Sequence, residues 1–366
     1  MTLAMTPDAM RQRDYSLLGR DAAEAEKLGL KSAEWYHPDI ARKDMKELMK
    51  RVDAPAIRDT VIWLGSMAVF AGLAVFLWPT WWAALPLAAY GVLYGSATDS
   101  RWHECGHGTA FKTMWMNNVV YHIACFMIMR NPTRWRWSHT RHHTDILIVG
   151  LDPEIAVMRP PVAFKVGLSF LGIPDAWEAI KMMVINAGGR IADEEKTFIP
   201  ETEWPKAILV ARVWLLIYAA TVGLALYTGS WLPILLVGTP KLYGAWHHVL
   251  TGLMQHGGLA ENVLDHRLNS RTVYINPVSR FIYWNMNYHI EHHLFPMVPY
   301  HALPKLHEMI KGDLPAPTRS IWACYKEMLP IWMQQMRGVD VFLIRALPAT
   351  AKPYRQELHG QALAAE

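Results

Sequence analysis

Between Thr60 and Thr98 the chain carries no Asp, Glu, Lys or Arg. A helix needs about 20 apolar residues to cross the hydrocarbon core of a bilayer, so this run has length for two spans. It breaks at Trp78-Pro79-Thr80-Trp81-Trp82, a turn rich in interfacial aromatics, which predicts spans near Val61–Trp78 and Ala83–Ala97. A second apolar block runs from Ala207 to about Leu250 and is divided at Gly229-Ser230-Trp231, predicting spans near Ala207–Tyr227 and Leu232–Leu250. Arg212 lies near an end and can snorkel. Lys241 must face protein or a cavity, because an ammonium in lipid is costly. The expected fold is an all-α membrane protein with four transmembrane helices in two hairpins.

The hairpin turns carry no Lys or Arg. The segments outside them do: Arg42, Lys43, Lys46, Lys50, Arg51 and Arg58 before the first, and the run from Arg130 to Arg141 between the two. By the positive-inside rule both termini and the central loop are expected in the cytoplasm. The chain therefore divides into a cytosolic N-terminal segment (1–57), a transmembrane and metal-binding domain (58–300) and a cytosolic helical C-terminal segment (301–366). The polar N-terminus shows no apolar signal-peptide core, which leans towards a bacterial inner membrane. A net charge of +4 on 36 basic and 32 acidic residues is too small for a nucleic-acid partner and fits a protein whose partner surface is membrane lipid. The three cysteines form no CxxC, so no zinc ribbon or iron–sulfur module is encoded.

Three histidine clusters lie outside the apolar blocks. They are His103-Glu104-Cys105-Gly106-His107, His139-Thr140-Arg141-His142-His143 and His289-Ile290-Glu291-His292-His293. On a helix, residues i, i+3 and i+4 share a face, so the first offers two imidazoles side by side and each of the others three. Chance alone would place roughly 0.8 HxxxH pairs in such a chain but only roughly 0.04 HxxHH triplets. The two triplets therefore carry the weight, and surface histidines are a poor explanation of them. Imidazole suits iron, copper, zinc or nickel. Eight ring nitrogens are too many for one tetrahedral ion and suit two ions with open positions. All three clusters fall on the same expected side of the membrane.

Other residues are candidates for supporting roles. His247, His248 and His256 follow the last apolar block, and His256 is the favoured ninth ligand because Gly257-Gly258 permits a tight exit into the site. His266 is a weaker candidate. His37, His122, His301, His307 and His359 read as structural or solvent-exposed. Ligating histidines commonly give their second N–H to a carboxylate or carbonyl. Glu104, Asp145, Asp152 and Glu291 are the expected partners. Trp102, Trp135, Trp137, Tyr283 and Trp284 lie beside the clusters and could line a substrate channel.

HECGH, HTRHH and NYHIEHHLFP, in this order around two apolar hairpins, resemble the three histidine boxes of the membrane fatty acid desaturase superfamily, and GLMQHGG resembles the segment that supplies one further ligand. The resemblance spans roughly residues 58–300. It implies two iron ions per chain and dioxygen as co-substrate, held in a cytosolic helical cap by His103, His107, His139, His142, His143, His289, His292 and His293, with His256 as ninth. Many lipid desaturases begin the third box with Gln, where this chain has His289. No cytochrome-b5-like HPGG occurs in the sequence, so the expected electron donor is separate: a ferredoxin, a rubredoxin or a cytochrome b5 type.

The expected activity is oxidation of an unactivated C–H bond, foremost by a fatty acyl or lipid desaturase. The same boxes occur in hydroxylases and demethylating monooxygenases that act on smaller substrates, which is the alternative. A metal transporter or sensor fits poorly, since transporters place ionisable residues within their spans and these spans hold only Arg212 and Lys241.

Overall fold

Two long helices set the frame. In the computed structural model, which describes residues 2–9 and 12–355, the helices Asp53–Leu77 and Trp204–Thr228 are each apolar on almost every side. His359 lies outside the described residues. The chain opens with a strand, β1 (Thr2–Ala9), then α1 (Arg20–Lys27), α2 (Arg42–Leu48) and α3 (Asp53–Leu77). Only Ala56, Asp59, Trp63, Met67 and Ala74 of α3 are buried, a single stripe at helical spacing, while Val61, Val69 and Phe76 point outward. A helix that leaves such side chains facing out is stable when its surroundings are lipid.

A short 3₁₀ turn leads to α4 (Ala84–Gly95). There follow α5 (Arg101–His107), α6 (Met114–Met127), α7 (Pro132–Asp145), α8 (Ala163–Ser169), α9 (Ile173–Ala187), α10 (Asp193–Lys196) and α11 (Trp204–Thr228). In α11 only Ala207, Ala211, Trp214 and Ala225 are buried. Among the described residues two helical stretches are long and apolar enough to cross a membrane, Arg42–Leu77 and Glu201–Thr228.

The other two expected spans differ from their prediction. At 12 residues α4 is about 18 Å long, short of the roughly 30 Å hydrocarbon core. The fourth is not one helix but three: α12 (Leu232–Leu236), α13 (Pro240–Tyr243) and α14 (Ala245–His256). Val237 is extended, Gly238 takes φ +88°, and Pro240 cannot donate a backbone hydrogen bond, so the helix stops and restarts. Side chains take over the freed backbone groups. The hydroxyls of Tyr90 and Tyr243 donate to the carbonyls of Leu236 (2.9 Å) and Leu235 (2.7 Å), Thr239 donates to Ile234 (2.6 Å), and the Gly238 N–H reaches the Tyr94 hydroxyl (3.3 Å). A Cβ on Gly244 would lie 1.8 Å from the Gly91 carbonyl oxygen, so α4 and the start of α14 meet backbone to backbone. Lys241 is fully enclosed and paired with Asp175 of α9, so its charge faces protein.

The remaining helices are α15 (His266–Asn269), α16 (Pro277–Ile282), α17 (His289–Leu294), α18 (Leu303–Ile310) and α19 (Ile321–Met336). The C-terminal segment is not wholly helical as expected. After α19 it forms β2 (Val339–Ile344), which pairs antiparallel with β1 in the register Thr2↔Ile344 to Ala9↔Val339. This two-stranded ribbon departs from an all-α architecture. The N-terminal segment also docks on the rest: Trp35 stacks on His266 at 4.3 Å, and Arg13 pairs with Glu261 (2.8 Å) and Asp340 (3.0 Å).

Candidate metal centre

The three clusters occupy three helices: α5, α7 and α17. Each is short; α17 is buried on every side, and on each helix the histidines recur on one face. Their imidazoles converge in two groups. In the first, ligand atoms of His103, His107, His139, His143 and His292 all lie within 4.8 Å of one another; in the second, so do those of His142, His256 and His293. His289 joins the second group, its Nε2 3.0 Å from the Nε2 atoms of both His256 and His293. All nine expected histidines are thus brought together. His247 and His248 are not. His247 bridges Ser96 (3.0 Å) and Ser279 (3.3 Å), and His248 is buried away from both groups.

The nitrogens point at one another through Nε2. In the first group the separations are 3.1 Å for His107–His139, 3.2 Å for His139–His143 and for His143–His292, and 2.6 Å for His103–His292. Two nitrogens each about 2.1 Å from one cation at octahedral or tetrahedral angles are about 3.0–3.4 Å apart, so most of these contacts have the length of a coordination edge. The tautomers agree. Nδ1 of His139 faces Glu154 (2.9 Å), Nδ1 of His142 faces Asp152 (2.9 and 3.0 Å), and Nδ1 of His256 faces the Asn269 carbonyl (2.8 Å). A carbonyl or carboxylate calls for an N–H at Nδ1, which in a neutral ring leaves Nε2 as a bare lone pair aimed inward. Burial pushes His103, His107, His143, His256, His289, His292 and His293 well down from the usual imidazole range, so they are neutral, the form that binds metal. His142 differs. Burial opposes its charge, but Asp152, with Glu154 and Asp99 adding, raises it to about 9.

Of the acids expected to orient the clustered histidines, Asp152 does so and three do not. Glu104 accepts from the Thr109 hydroxyl (2.7 Å) and the Tyr300 N–H (3.0 Å). Asp145 pairs with Arg141 four residues back (3.6 Å). Glu291 holds His307 (2.5 Å) and accepts from Thr272 (2.6 Å). Helix geometry explains this. Glu104 follows His103 by one residue and Glu291 follows His289 by two, about 100° and 200° round the helix and off the histidine face. The partner not foreseen is Glu154, which also accepts from Ser138. It lies two residues past Asp152 in Leu151-Asp152-Pro153-Glu154, and that i, i+2 pair of acids after the second cluster was the available signal.

Trp102 packs edge-on to His139 at 5.1 Å and, with Trp135, walls a small cavity at His103, His107 and His139. The other two expected channel tryptophans lie elsewhere. Trp137 is partly exposed on the outer side of α7. Trp284 is buried, stacked on Tyr300 at 4.3 Å beneath the Arg101 guanidinium. The Tyr283 hydroxyl accepts from Gln255 (2.5 Å).

Residues 76–325 match the family model described as fatty acid desaturase. The chain is 26% identical over 287 residues to an sn-2 acyl-lipid omega-3 desaturase (ferredoxin), chloroplastic, of Helianthus annuus, covering 70% of this chain and 61% of that one. It is 26% identical over 272 residues to an endoplasmic-reticulum omega-3 fatty acid desaturase of Nicotiana tabacum, covering 68% of each. It is 23% identical over 247 residues to an acyl-lipid omega-3 desaturase (cytochrome b5) of Arabidopsis thaliana, covering 62% of each. The chain spans about three fifths of the length of several curated relatives it matches. With the family model matched over more than half of its residues, all three histidine boxes among them, this chain belongs to the fatty acid desaturase family.

Proposed function

We propose that the chain is a membrane-embedded, dioxygen-dependent diiron oxidoreductase that introduces a double bond into a fatty acyl chain. The observation that carries this reading is the convergence of nine imidazoles into two groups within a desaturase family match. His103, His107, His139, His143 and His292 would hold one iron, and His142, His256, His289 and His293 the other. Two bound iron ions supply dioxygen activation and C–H cleavage. The protein's part is placement. Asp152 and Glu154 fix ring orientation and tautomer, and the walls made by buried Trp102 and half-buried Trp135 keep bulk water from the reacting carbon. The balance is one CH₂–CH₂ unit, one O₂, two electrons and two protons giving CH=CH and two waters. The electrons come from a separate donor, of the ferredoxin or cytochrome b5 kind named for relatives.

The membrane reading rests on α3 and α11 as spans, with α4 and the interrupted α12–α14 segment returning beside them. The positive-inside pattern puts the termini and metal centre on the cytoplasmic face.

Metal analysis of the purified chain should give about two irons per protein, on two-metal logic. Supplied with acyl lipid, a reduced donor and labelled dioxygen, it should give an unlabelled alkene. A product alcohol carrying the label would reassign it as a hydroxylase.

A further inference from the structure

Between the second histidine cluster and α11, the pair α8–α9 presents a face that the metal centre does not use. Along α9 the residues Ile173, Trp177, Ile180 and Val184 follow each other at i, i+4, i+7 and i+11 and fall within about 60° of arc. All four are exposed, Trp177 to 67%. Val162, Phe164 (77% exposed) and Leu171 extend the stripe along α8 and the turn. One flank of α9, beginning beside the stripe, is buried at Ala176, Met183 and Asn186. The other flank is polar, with Lys181 beside the stripe and Glu178 behind it, paired with each other at 3.3 Å. The pair is firmly fastened: Val166 and Phe170 pack against Ala245, Val249, Met328 and Trp332, and Asp175 binds the enclosed Lys241. The apolar stripe is therefore a fixed outer surface.

Its position says what covers it. At the end of α9 the Ala187 carbonyl accepts from Arg212 of α11 (2.9 Å), so the stripe runs up to the level of Leu209 and Val213, which face outward on that helix. The two apolar faces thus adjoin at Arg212, and the face on α9 is led by a tryptophan and edged by lysines, the pattern of a helix lying in the plane of a bilayer.

We propose that α8–α9 is a bilayer-embedded, in-plane helical pair, with Phe164, Trp177, Ile180 and Val184 in the acyl region and Lys165, Glu178 and Lys181 at the polar boundary. It rests on the reading that α11 crosses the membrane, and the test separates the two. Cys105, Cys125 and Cys324 are all buried, so single cysteines for spin labels can be added at surface positions. Trp177→Cys, Val184→Cys, Glu178→Cys and Leu216→Cys would be labelled in the iron-loaded protein in phosphatidylcholine vesicles. Collision with oxygen, which concentrates in lipid, is then compared with collision with a water-soluble nickel chelate. Labels at 177 and 184 should behave like the one at Leu216, an outward residue of α11, with an oxygen-to-nickel ratio at least about threefold above that at 178. A ratio at 177 and 184 equal to that at 178, with 216 in lipid, overturns the inference and leaves the membrane reading standing. A water-like 216 overturns that reading itself. Shielding of 177 and 184 from both reagents means a protein surface covers the stripe, which also overturns the inference. As a second measurement, W177E should keep two irons per chain and shift vesicle-bound labels at 184 towards water.

Discussion

The two imidazole groups are built differently. The five-membered group draws on all three boxes, and only one of its rings, His139, has a carboxylate behind it. The other takes His142, His289 and His293 from the boxes but needs His256 from α14, and it braces His142 with Asp152 and His256 with the Asn269 carbonyl. The first group is assembled from α5, α7 and α17 alone. The second hangs on an element that comes out of the membrane segment. Ligand number and ligand support thus trade against each other between neighbouring sites, and the second site is the one that distant changes can unsettle.

The largest expected effect tests whether both sites matter. His103→Ala in the first group and His142→Ala in the second should each lower oxidation by more than about 100-fold, beyond what loss of an outer partner costs, while the protein still inserts in membranes. Full activity in either variant would remove that site from the chemistry. Next, His256→Ala should leave one site loaded, with iron falling from about two to about one per chain on metal analysis; loss of both ions would show that the groups assemble as one. Asp152→Asn and Glu154→Gln should each cost about 10–100-fold in activity or metal affinity, with the iron lost from the site of the altered partner.

The Asp152 variant also has a pH signature. In the metal-free protein, burial disfavours His142 as a cation, but its acidic neighbours raise it to about 9. A raised imidazole stabilises the fold fully below the unfolded value of 6.5, and that contribution is lost as pH rises through about 9. Thermal melts of metal-stripped protein should therefore show this decline between 6.5 and 9, and Asp152→Asn should flatten it, since burial then dominates. The smallest effect on the centre is structural. Gly244→Val drives a side chain into the Gly91 backbone and should destabilise the protein by about 1–3 kcal/mol, or more if α14 cannot shift, read as a lowered Tm with iron stoichiometry reduced only at the second site.

The grouping of the eight box histidines was legible because their order is local. Positions i, i+3 and i+4 meet on any helix, and α5, α7 and α17 are helices. The acids were less so, because which acid meets a ring depends on how the chain returns after α7. Asp152 and Glu154 reach His142 and His139 only because residues 146–151 fold back; Glu104 and Glu291, nearer in sequence, lie off the histidine face. The membrane segments divide in the same way. The composition of α3 and α11 is sufficient to make them long helices. The last apolar block carries its break in plain view at Gly238-Thr239-Pro240, but the pairing that makes the break tolerable comes from Tyr90 and Tyr94, more than 140 residues earlier.

The close approach of Gly244 to Gly91 fixes one end of α14, and His256 stands at the other, so that twelve-residue helix works as a ruler about 18 Å long. Its two ends are read in different places, one against α4 and one at the second imidazole group. Adding or removing a single residue between them would turn His256 by about 100° and move it by about 1.5 Å along the axis. The count from Gly244 to His256 therefore sets the height of the second imidazole group above α4.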